Sequence, residues 1–473
     1  MNRKPNLIYI MADQLRYQSC GYAGDQYAIT PNIDSFAKTG VDMYNTVSSM
    51  PVCSAYRASL FTGKYTTSTG MVINEIRLNP NHRCFGHVLT DNNYDTAYIG
   101  KWHLWANELG NHEDAKNSFV PKGKYRLGFD GLWASYNFNH DYYKGYYHTD
   151  TAEKIHFDGY EPDGQTDLAI DYIKGTQKDK PFALFLSYGT PHDPWEKDNV
   201  PEEYYNMFKD VEFDLSPTYS DYLDLHGDAW SNMDKSPQMI NEWKKVYYAM
   251  TANLDRNFGR LLKSIKDMGL LEDTIIVFTS DHGEMFGAHS RMKKNIFYDE
   301  ASRVPFLISH KGTLPENVKE DACMGTVDIM PTLLSLMDMD YPIEVEGMDI
   351  SAAILGEYNT PQPEAAFLQN TGACAMWEDG HEWRALRSKR YTYAIYKSDS
   401  QELLYDNIED PNNLNNLSLT SEYSSTLNKY RTMLKKKMES INDKFKNSTY
   451  YRDNWIEGRK IVKTATMPYC SNE

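Results

Sequence analysis

Four apolar runs, each ending directly in charged or imidazole side chains, constrain the fold of this chain more than any other feature. They are NLIYIM before Ala-Asp, DTAYIG before Lys101, PFALFLS before the TPHDP turn and DTIIVFTS before Asp281. Continuous apolar runs rich in β-branched residues are typical of strands buried on both faces of a parallel sheet. With helices predicted between them at 32–40 and 247–269, the runs indicate an open α/β sheet whose carboxyl edge carries a polar crevice.

The remaining segments do not follow this alternation of apolar runs and predicted helices. Residues 110–165 have no clear period, and we expect a long excursion over the crevice there. Composition shifts near TPQPE, so we predict one large unit over 1–360 and a smaller α+β unit over 361–473. Within the latter, alternation at 382–407 predicts antiparallel strands, and a helix is predicted at 426–445.

Bulk composition limits the functional classes. The chain has 473 residues, of which 41% are apolar and 24% charged, as in ordinary globular proteins. A net charge of −17 argues against non-specific nucleic-acid binding, and an anionic substrate would need a local basic pocket. No run is apolar enough to span a bilayer, so we expect no membrane association. The first strand begins too early for a leader, which predicts a cytoplasmic protein, or a periplasmic or secreted one if a leader has been removed.

The cysteines predict neither a disulfide framework nor a paired-cysteine metal site. There are six, and they are scattered without CxxC spacing: Cys20, Cys53, Cys84, Cys323, Cys374 and Cys470.

Two of the predicted strand ends carry oxygen donors and an imidazole. Asp13 and Gln14 follow the first strand, and Asp281 and His282 follow the last. If one sheet brings these ends together, two carboxylates, an amide oxygen and one nitrogen can surround an ion. Such a donor set suits Ca²⁺, Mg²⁺ or Mn²⁺ better than a structural zinc.

A second group of side chains is cationic or can become so. Its members are Lys101, His103, His192 and Lys294. Lysines act as point charges and histidines can transfer protons, so this group is suited to a tetrahedral oxyanion. Each histidine taken alone is more often a structural residue.

Cys53 lies in PVCSAYRASLFTGKY, residues 51–65, at the start of a predicted helix. A buried structural cysteine and a thiolate activated by a helix N-terminus are both open interpretations. Neither explains why Arg57 and then Leu-Phe-Thr-Gly-Lys should follow in that order.

The stretch CSAYRASLFTGKY resembles the signature of the formylglycine-dependent sulfatases, a family within the alkaline-phosphatase-like superfamily. That signature is Cys or Ser, then x-Pro/Ala-x-Arg, then Leu-x-Thr-Gly-Arg/Lys. Here Ala55 stands where proline is commoner, and Lys64 replaces the usual arginine. The resemblance implies that a sulfatase-maturing enzyme oxidises Cys53 to Cα-formylglycine, whose aldehyde hydrates to a geminal diol.

Further motifs in the family's order extend the resemblance over nearly the whole chain. MADQ is similar to the first metal motif, with Gln14 where many members have aspartate, and FTSDHGE to the second, with His282 where asparagine is frequent. GKWHL, TPHDP and KNIFYDEASRVPFLI resemble the remaining site segments. The implied fold is an alkaline-phosphatase-like sandwich, with a large mixed central sheet flanked by helices and a small C-terminal α+β subdomain with a four-stranded antiparallel sheet.

The resemblance also implies roles for single residues. A divalent metal, Ca²⁺ expected before Mg²⁺ or Mn²⁺, would be held by Asp13, Gln14, Asp281, His282 and the residue made from Cys53. Arg57 would orient the diol, His192 would protonate the leaving oxygen, and His103 would act as the base afterwards. Sulfate contacts would come from Lys101, His192 and Lys294. Independently of the resemblance, the aromatic ring of Trp105 makes it a further candidate for a substrate contact.

These roles predict hydrolysis of sulfate monoesters, with a sulfated carbohydrate or an aryl sulfate as substrate. Aromatic residues at 136–148, Trp105, Trp195 and 377–383 are candidates for a sugar subsite, although each could equally pack the interior. One alternative is a phosphonate monoester or phosphodiester hydrolase of the same superfamily. A second is a non-catalytic anion-binding protein, if Cys53 is never oxidised.

Overall fold

The computed structural model describes residues 4–112, 114–176, 180–357 and 360–463. The strands are β1 Asn6–Ala12, β2 Val41–Asp42, β3 Asp95–Lys101, β4 Leu132–Tyr136, β5 Tyr146–Tyr147, β6 Ile155–His156, β7 Phe182–Ser187, β8 Thr274–Ser280, β9 Phe306–Ser309, β10 Val318–Lys319, β11 Ala365–Asn370, β12 Trp383–Ser388, β13 Tyr391–Tyr396, β14 Glu402–Asp406, β15 Ile456–Glu457 and β16 Lys460–Ile461. The α-helices are α1 Pro31–Phe36, α2 Cys53–Thr62, α3 Thr66–Thr69, α4 Phe85–Asp91, α5 Ala115–Ser118, α6 Glu161–Gly175, α7 Glu202–Phe208, α8 Pro237–Asp267, α9 Asp299–Ser302, α10 Thr326–Leu336, α11 Ser351–Ile354, α12 Ser424–Ser440 and α13 Ser448–Arg452.

The central sheet has eight strands in the order β10-β2-β9-β8-β1-β7-β3-β4. The five strands from β8 to β4 are parallel, whereas β9 runs antiparallel to both β8 and β2. In β1 the middle residue Tyr9 pairs with Phe185 on one side and Val277 on the other. The four apolar runs are therefore adjacent strands, and the predicted mixed α/β sheet is confirmed.

Both faces of this sheet are buried, as the absence of polar alternation predicts. Leu7, Tyr9 and Met11 of β1 pack into one hydrophobic cluster, together with residues of α2, α4, α10 and α11. Ile8 and Ile10 point the other way, into a cluster with α1, α6, α7 and α8. The crevice at the carboxyl edge is thus held between two packed helical layers.

Some predicted bounds were wrong. The helix predicted at 32–40 ends at Phe36, and the one predicted from 247 begins at Pro237. Ser236 accepts a hydrogen bond from the Met239 N–H, so a serine cap followed by proline starts the helix ten residues earlier. The predicted excursion over 110–165 also contains edge strand β4 and the start of α6.

The C-terminal part forms the predicted four-stranded antiparallel sheet, in the order β11-β12-β13-β14. Leu427, Tyr430 and Leu434 of α12 pack against one face of it. The other face packs against Ile296 and Phe297, which belong to the large unit. The boundary at residue 360 stays a prediction, and Cys470 lies outside the described residues.

Among the described residues, no helix combines the length and the apolar character needed to cross a bilayer.

Candidate active site

The predicted site residues meet where four adjacent strands end. Asp13 directly follows β1, Asp281 follows β8, Lys101 closes β3, and His192 lies in the turn after β7. Asp13 and Asp281 are fully buried, as is Lys101. The prediction that these strand ends share one crevice is confirmed.

Cys53 is the first residue of α2 and points into this crevice. The extended Val52 precedes it, and the Cys53 side chain is almost fully buried. Its Sγ atom lies 3.1 Å from His282 Nε2 and 3.7 Å from Asp13 Oδ1, and Lys294 Nζ donates to it at 3.4 Å. The signature cysteine thus touches both predicted groups of residues.

The donor atoms of Asp13, Cys53, Asp281 and His282 all lie within 4.8 Å of one another. The Oδ1 atoms of both aspartates are 3.6 Å from His282 Nε2, so they face the same point. Their Oδ2 atoms turn outwards, that of Asp13 to Lys101 Nζ at 2.5 Å and that of Asp281 to Arg57 Nη2 at 3.3 Å. Inner oxygens that face a common point and outer oxygens held by charged groups are an arrangement that suits a hard divalent ion.

Gln14 supports the same arrangement. Its backbone N–H donates to Asp281 Oδ1 at 3.0 Å, and its side-chain Nε2 donates to Glu284 Oε2 at 2.5 Å. This fixes the amide so that Oε1 faces inwards, 3.1 Å from Lys294 Nζ. Two carboxylates, an amide oxygen and an imidazole therefore fit the predicted metal.

Arg57 connects α2 to the strand ends through hydrogen bonds and ion pairs. Besides Asp281, its Nη2 lies 3.6 Å from Asp13 Oδ2, while Nη1 donates to the Lys101 carbonyl at 2.5 Å and to Ser187 Oγ at 2.7 Å. The guanidinium is fully buried one helical turn beyond Cys53. Its contacts hold four strand ends, those of β1, β3, β7 and β8, at fixed distances from the cysteine.

Electrostatics at the cysteine favour anions. Burial and the Asp13 carboxylate oppose ionisation of Cys53, but Lys101, Lys294 and His282 outweigh them and lower the pKa of the thiol. For Asp13, burial alone would raise the pKa, yet Lys101, His282 and Lys294 hold it well below its usual value. Negative charge is therefore stabilised at position 53.

Two lysine–histidine pairs flank the cysteine. Lys294 Nζ lies 2.7 Å from His192 Nε2, and Lys101 Nζ lies 3.2 Å from His140 Nε2. The two imidazole rings are neighbours, with centroids 4.0 Å apart. His140 was not among the predicted site residues, because only its position in the irregular segment NFNHDYY marks it in the sequence.

Three histidines of the site, His192, His140 and His103, favour the neutral form. For His282, burial alone would lower the pKa, but Asp281 and Cys53 raise it. Burial is the main reason that the pKa of His192 lies well below its usual value, and His140 and Lys294 lower it further. Burial and Lys101 act in the same way on the pKa of His140 and of His103. His192 Nδ1 therefore donates to the Asp193 carbonyl at 2.8 Å, and its Nε2 accepts from Lys294.

His103 packs beside Phe138, with ring centroids 5.2 Å apart. Within the described part of the chain, neither ring nitrogen has a hydrogen-bond partner. Its backbone adopts a positive φ of 56° two residues after β3. His103 is thus close to the site but makes no direct contact with Cys53.

A cavity of about 320 Å³ opens over Cys53. It is lined by Cys53, Asn74, Glu75, Phe138, His140, His192, Asp193, Trp230, Met233, Lys293, Lys294 and Ala375. Of the predicted substrate contacts, His192 and Lys294 line it directly.

Trp105, predicted to contact substrate, does not line this cavity. Its indole N–H donates to the Lys116 carbonyl at 2.9 Å, and Arg77 lies over its ring at 5.4 Å. It lines a separate depression instead, and 4% of its surface is exposed. Its aromatic ring serves packing, the alternative that its residue type could not exclude.

Most of the other aromatic candidates also pack away from the cavity. The indole N–H of Trp195 donates to the Pro191 carbonyl, and that of Trp383 donates to the Asn295 carbonyl. Trp377 packs edge-on against Trp455, and Tyr142 donates to the Gly189 carbonyl at 2.6 Å. From the segment 136–148, the residues that line the cavity are Phe138 and His140.

Comparison with known proteins identifies the family. A sulfatase family model matches residues 5–339, and a model described as N-sulphoglucosamine sulphohydrolase, C-terminal, matches residues 287–444. The chain is 35% identical over 466 residues to the Ulvan-active sulfatase of Formosa agariphila, which covers 96% of this chain and 86% of that protein. It is 30% identical over 482 residues to the Endo-4-O-sulfatase of Bacteroides thetaiotaomicron, covering 91% of each.

A solved structure agrees with this assignment. The crystal structure of a protein described as a sulfatase from Bacteroides fragilis superposes with a TM-score of 0.81 at 28% identity, covering 94% of this chain and 97% of that one. The fold, the signature around Cys53 and the family match over most of the chain all agree. The chain therefore belongs to the type I sulfatase family of the alkaline-phosphatase-like superfamily and is a sulfatase, an enzyme that hydrolyses sulfate esters.

Proposed function

We propose that this sulfatase removes a sulfate group from a sulfated carbohydrate, using a formylglycine made from Cys53 and one divalent cation, with Ca²⁺ preferred. The observation that carries the proposal is the position of Cys53 Sγ, which lies against His282, Asp13 and Lys294 at the base of a cavity. The names of the two relatives from Formosa and Bacteroides support a glycan as substrate.

The chemistry of the ester favours formylglycine over a plain thiolate at position 53. A thiolate that attacked sulfur would need water to attack sulfur a second time. The hydrated aldehyde would supply one hydroxyl as nucleophile and a second hydroxyl whose deprotonation releases sulfate by C–O cleavage. The signature around Cys53 supports the oxidation, for which a sulfatase-maturing enzyme is the required partner.

Asp13, Gln14, Asp281 and His282 would hold the cation, with the residue made from Cys53 as a further ligand. The bound cation would lower the pKa of the nucleophilic hydroxyl and screen charge on a sulfate oxygen. Arg57 keeps position 53 in line by its contacts with four strand ends.

The two lysines bind the anionic headgroup. Lys101 and Lys294 lie on either side of Asp13 and Cys53, where their ammonium groups can contact sulfate oxygens. Charge that builds up on these oxygens in the transition state is then met by fixed positive groups. The two lysines and Arg57 carry one more positive charge than the two aspartates carry negative charge, so this group of residues is suited to bind an anion.

Proton transfer falls to the histidines. Lys294 donates a hydrogen bond to His192 Nε2 at the cavity wall, so a proton can pass from the Lys294 ammonium to His192 and from His192 to the leaving oxygen. His103 is neutral and has both ring nitrogens unpaired among the described residues, as a base requires. We assign to it the removal of the proton from the second hydroxyl.

The first experiment tests residue 53 directly. Conversion of the thiol to the aldehyde lowers the mass of the peptide by about 18 Da, whereas ordinary thiol oxidation adds oxygen mass. In protein made together with a maturing enzyme, we expect this loss on the peptide that contains residues 51–65. We also expect Cys53→Ala to lower sulfate release from sulfated sugars by at least about 10³-fold.

Cys323→Ala is the matched control, since Cys323 is a buried cysteine outside the cavity. It should keep both the mass loss and the activity. Full activity in Cys53→Ala would refute the proposal, and unmodified Cys53 in an active enzyme would refute the formylglycine. Faster hydrolysis of aryl phosphonate esters than of sulfate esters would favour the phosphonate hydrolase. A protein that keeps the Cys53 thiol despite the maturing enzyme, and binds sulfate without turnover, would favour the anion-binding alternative.

A further inference from the structure

Trp230 forms part of the wall of the catalytic cavity. Its indole lines the same cavity as Cys53 and His192, and 43% of its surface is exposed. Trp230 therefore differs from the tryptophans that the sequence analysis proposed for a sugar subsite, because those pack away from the cavity. Indole rings combine a flat apolar face with low conformational entropy, which suits them to bind another flat face.

The loop that carries Trp230 is held on both sides of this residue. Asp228 accepts hydrogen bonds from the Cys374 backbone N–H at 3.1 Å and from the Ser231 N–H at 2.8 Å. Ser231 in turn accepts from Arg291 Nη2 through its hydroxyl at 2.9 Å, and from the Met292 N–H through its carbonyl at 2.8 Å. These bonds therefore hold the backbone on both sides of Trp230 in place.

The same loop is attached to the C-terminal sheet. His226 stacks on Tyr396 with centroids 3.7 Å apart, and its Nε2 lies 3.0 Å from Asp399 Oδ2. His381 Nδ1 lies 2.9 Å from the His226 carbonyl. A binding surface that is rigid before the ligand arrives loses less entropy on binding.

Glu75 adds a polar group to this cavity. Its carboxylate accepts from the Gly110 N–H at 3.1 Å and pairs with His112 Nε2 at 3.1 Å, and His112 stacks on Phe138. Glu75 has a φ of 68°, a conformation that costs energy for a residue with a side chain. The backbone of Glu75 is thus in an unfavourable conformation, and its carboxylate at the cavity is held by Gly110 and His112.

We propose that Trp230 and Glu75 bind the sugar that carries the scissile sulfate. The indole stacks on the C–H face of a pyranose ring, and the Glu75 carboxylate accepts a hydrogen bond from a free hydroxyl of that ring. The preferred substrate is thus a sugar with a hydroxyl, and not a second anionic group, next to Glu75. This inference rests on the proposed function.

The test distinguishes binding of the sugar ring from binding of the sulfate group. In matured enzyme, Trp230→Ala should raise the KM for the best substrate in a panel of 2-, 3-, 4- and 6-sulfated monosaccharides about tenfold (~1.4 kcal/mol). The inhibition constant of inorganic sulfate should stay unchanged, because sulfate contacts the lysines and not the indole. Trp230→Phe, which keeps a smaller ring, should lie between, and Glu75→Gln should raise KM severalfold.

Tyr222→Ala is the matched control. Tyr222 lies on the same loop and is 78% exposed, but it does not line the cavity. An unchanged KM in Trp230→Ala and Trp230→Phe would overturn the inference, as would an inhibition constant for sulfate that rises together with KM. A matured wild type that releases no sulfate from any sugar would instead contradict the proposed function.

Discussion

His103 links burial at the site to the pH dependence of stability. Burial is the main cause of its lowered pKa, and Lys101 and Arg57 add to it. A histidine in the unfolded chain takes up a proton near pH 6.5, whereas His103 in the folded protein stays unprotonated at that pH because its pKa is lowered. The free energy of unfolding should therefore fall as the pH drops below about 6.5, by up to ~1.4 kcal/mol per pH unit for each such histidine.

Urea unfolding of wild type and His103→Asn between pH 7.5 and 5 measures this effect. Asparagine tolerates the positive φ at this position but does not titrate in this range. The variant should lose less stability than the wild type as the pH falls. Equal slopes in the two proteins would mean that His103 takes up its proton without unfolding.

At the scale of single residues, the sequence predicts what lies at strand ends or in the signature. Asp13, Lys101 and Asp281 are placed by the sheet, and Cys53 by the start of α2. Trp230 could not be predicted, because it lies on an irregular loop whose position depends on contacts with residues far along the chain, such as Arg291. The local spacing of apolar residues does not predict contacts between residues so far apart in the sequence.

At the scale of elements, the strands were predicted more accurately than the helix ends. An apolar run flanked by polar residues fixes a buried strand to within a residue or two, as β1 and β8 show. Strand β4 is short and lies at the sheet edge, so its sequence resembles the irregular segment around it. The early start of α8 depends on the Ser236 cap, a signal outside the apolar pattern.

The ends of β1 and β8 also predict a metal effect on stability. Asp13 and Asp281 converge on His282, and a cation bound there would connect the two strand ends in the folded state alone. Ca²⁺ at about 100 times its dissociation constant should stabilise the chelator-treated protein by ~2.7 kcal/mol. Thermal unfolding with and without Ca²⁺ measures this without any need for activity.

Asp281→Asn removes one inner ligand and should abolish the Ca²⁺ shift. Asp171→Asn, on the exposed surface of α6, should keep it. Equal Ca²⁺ shifts in both variants would place the ion elsewhere, and a larger shift with Mn²⁺ or Mg²⁺ would change the identity of the metal.

At the scale of the whole molecule, the C-terminal sheet shares its core with the large unit. Ala366, Leu368 and Trp383 pack in one cluster with Ile296 and Phe297. The sheet also reaches the active site, since the segment after β11 supplies Ala375 to the cavity and the Cys374 N–H to the loop of Trp230. The C-terminal sheet and the large unit therefore share part of their hydrophobic core, and the boundary near residue 360 stays a prediction.

A single thermal transition follows from this shared core. Across the contact, Arg387 donates to both carboxylate oxygens of Asp299, at 2.7 and 2.8 Å, and to Asn45 at 2.9 Å. Arg387→Ala leaves the partly buried Asp299 carboxylate with Arg303 as its remaining cationic partner, which should cost about 1–3 kcal/mol. Because the two units share one core, calorimetry should show one transition shifted to lower temperature.

Arg431→Ala, which breaks an exposed pair with Glu402 within the C-terminal part, should shift this transition little. If Arg387→Ala split the transition in two, the sheet and the large unit would be separate folding units.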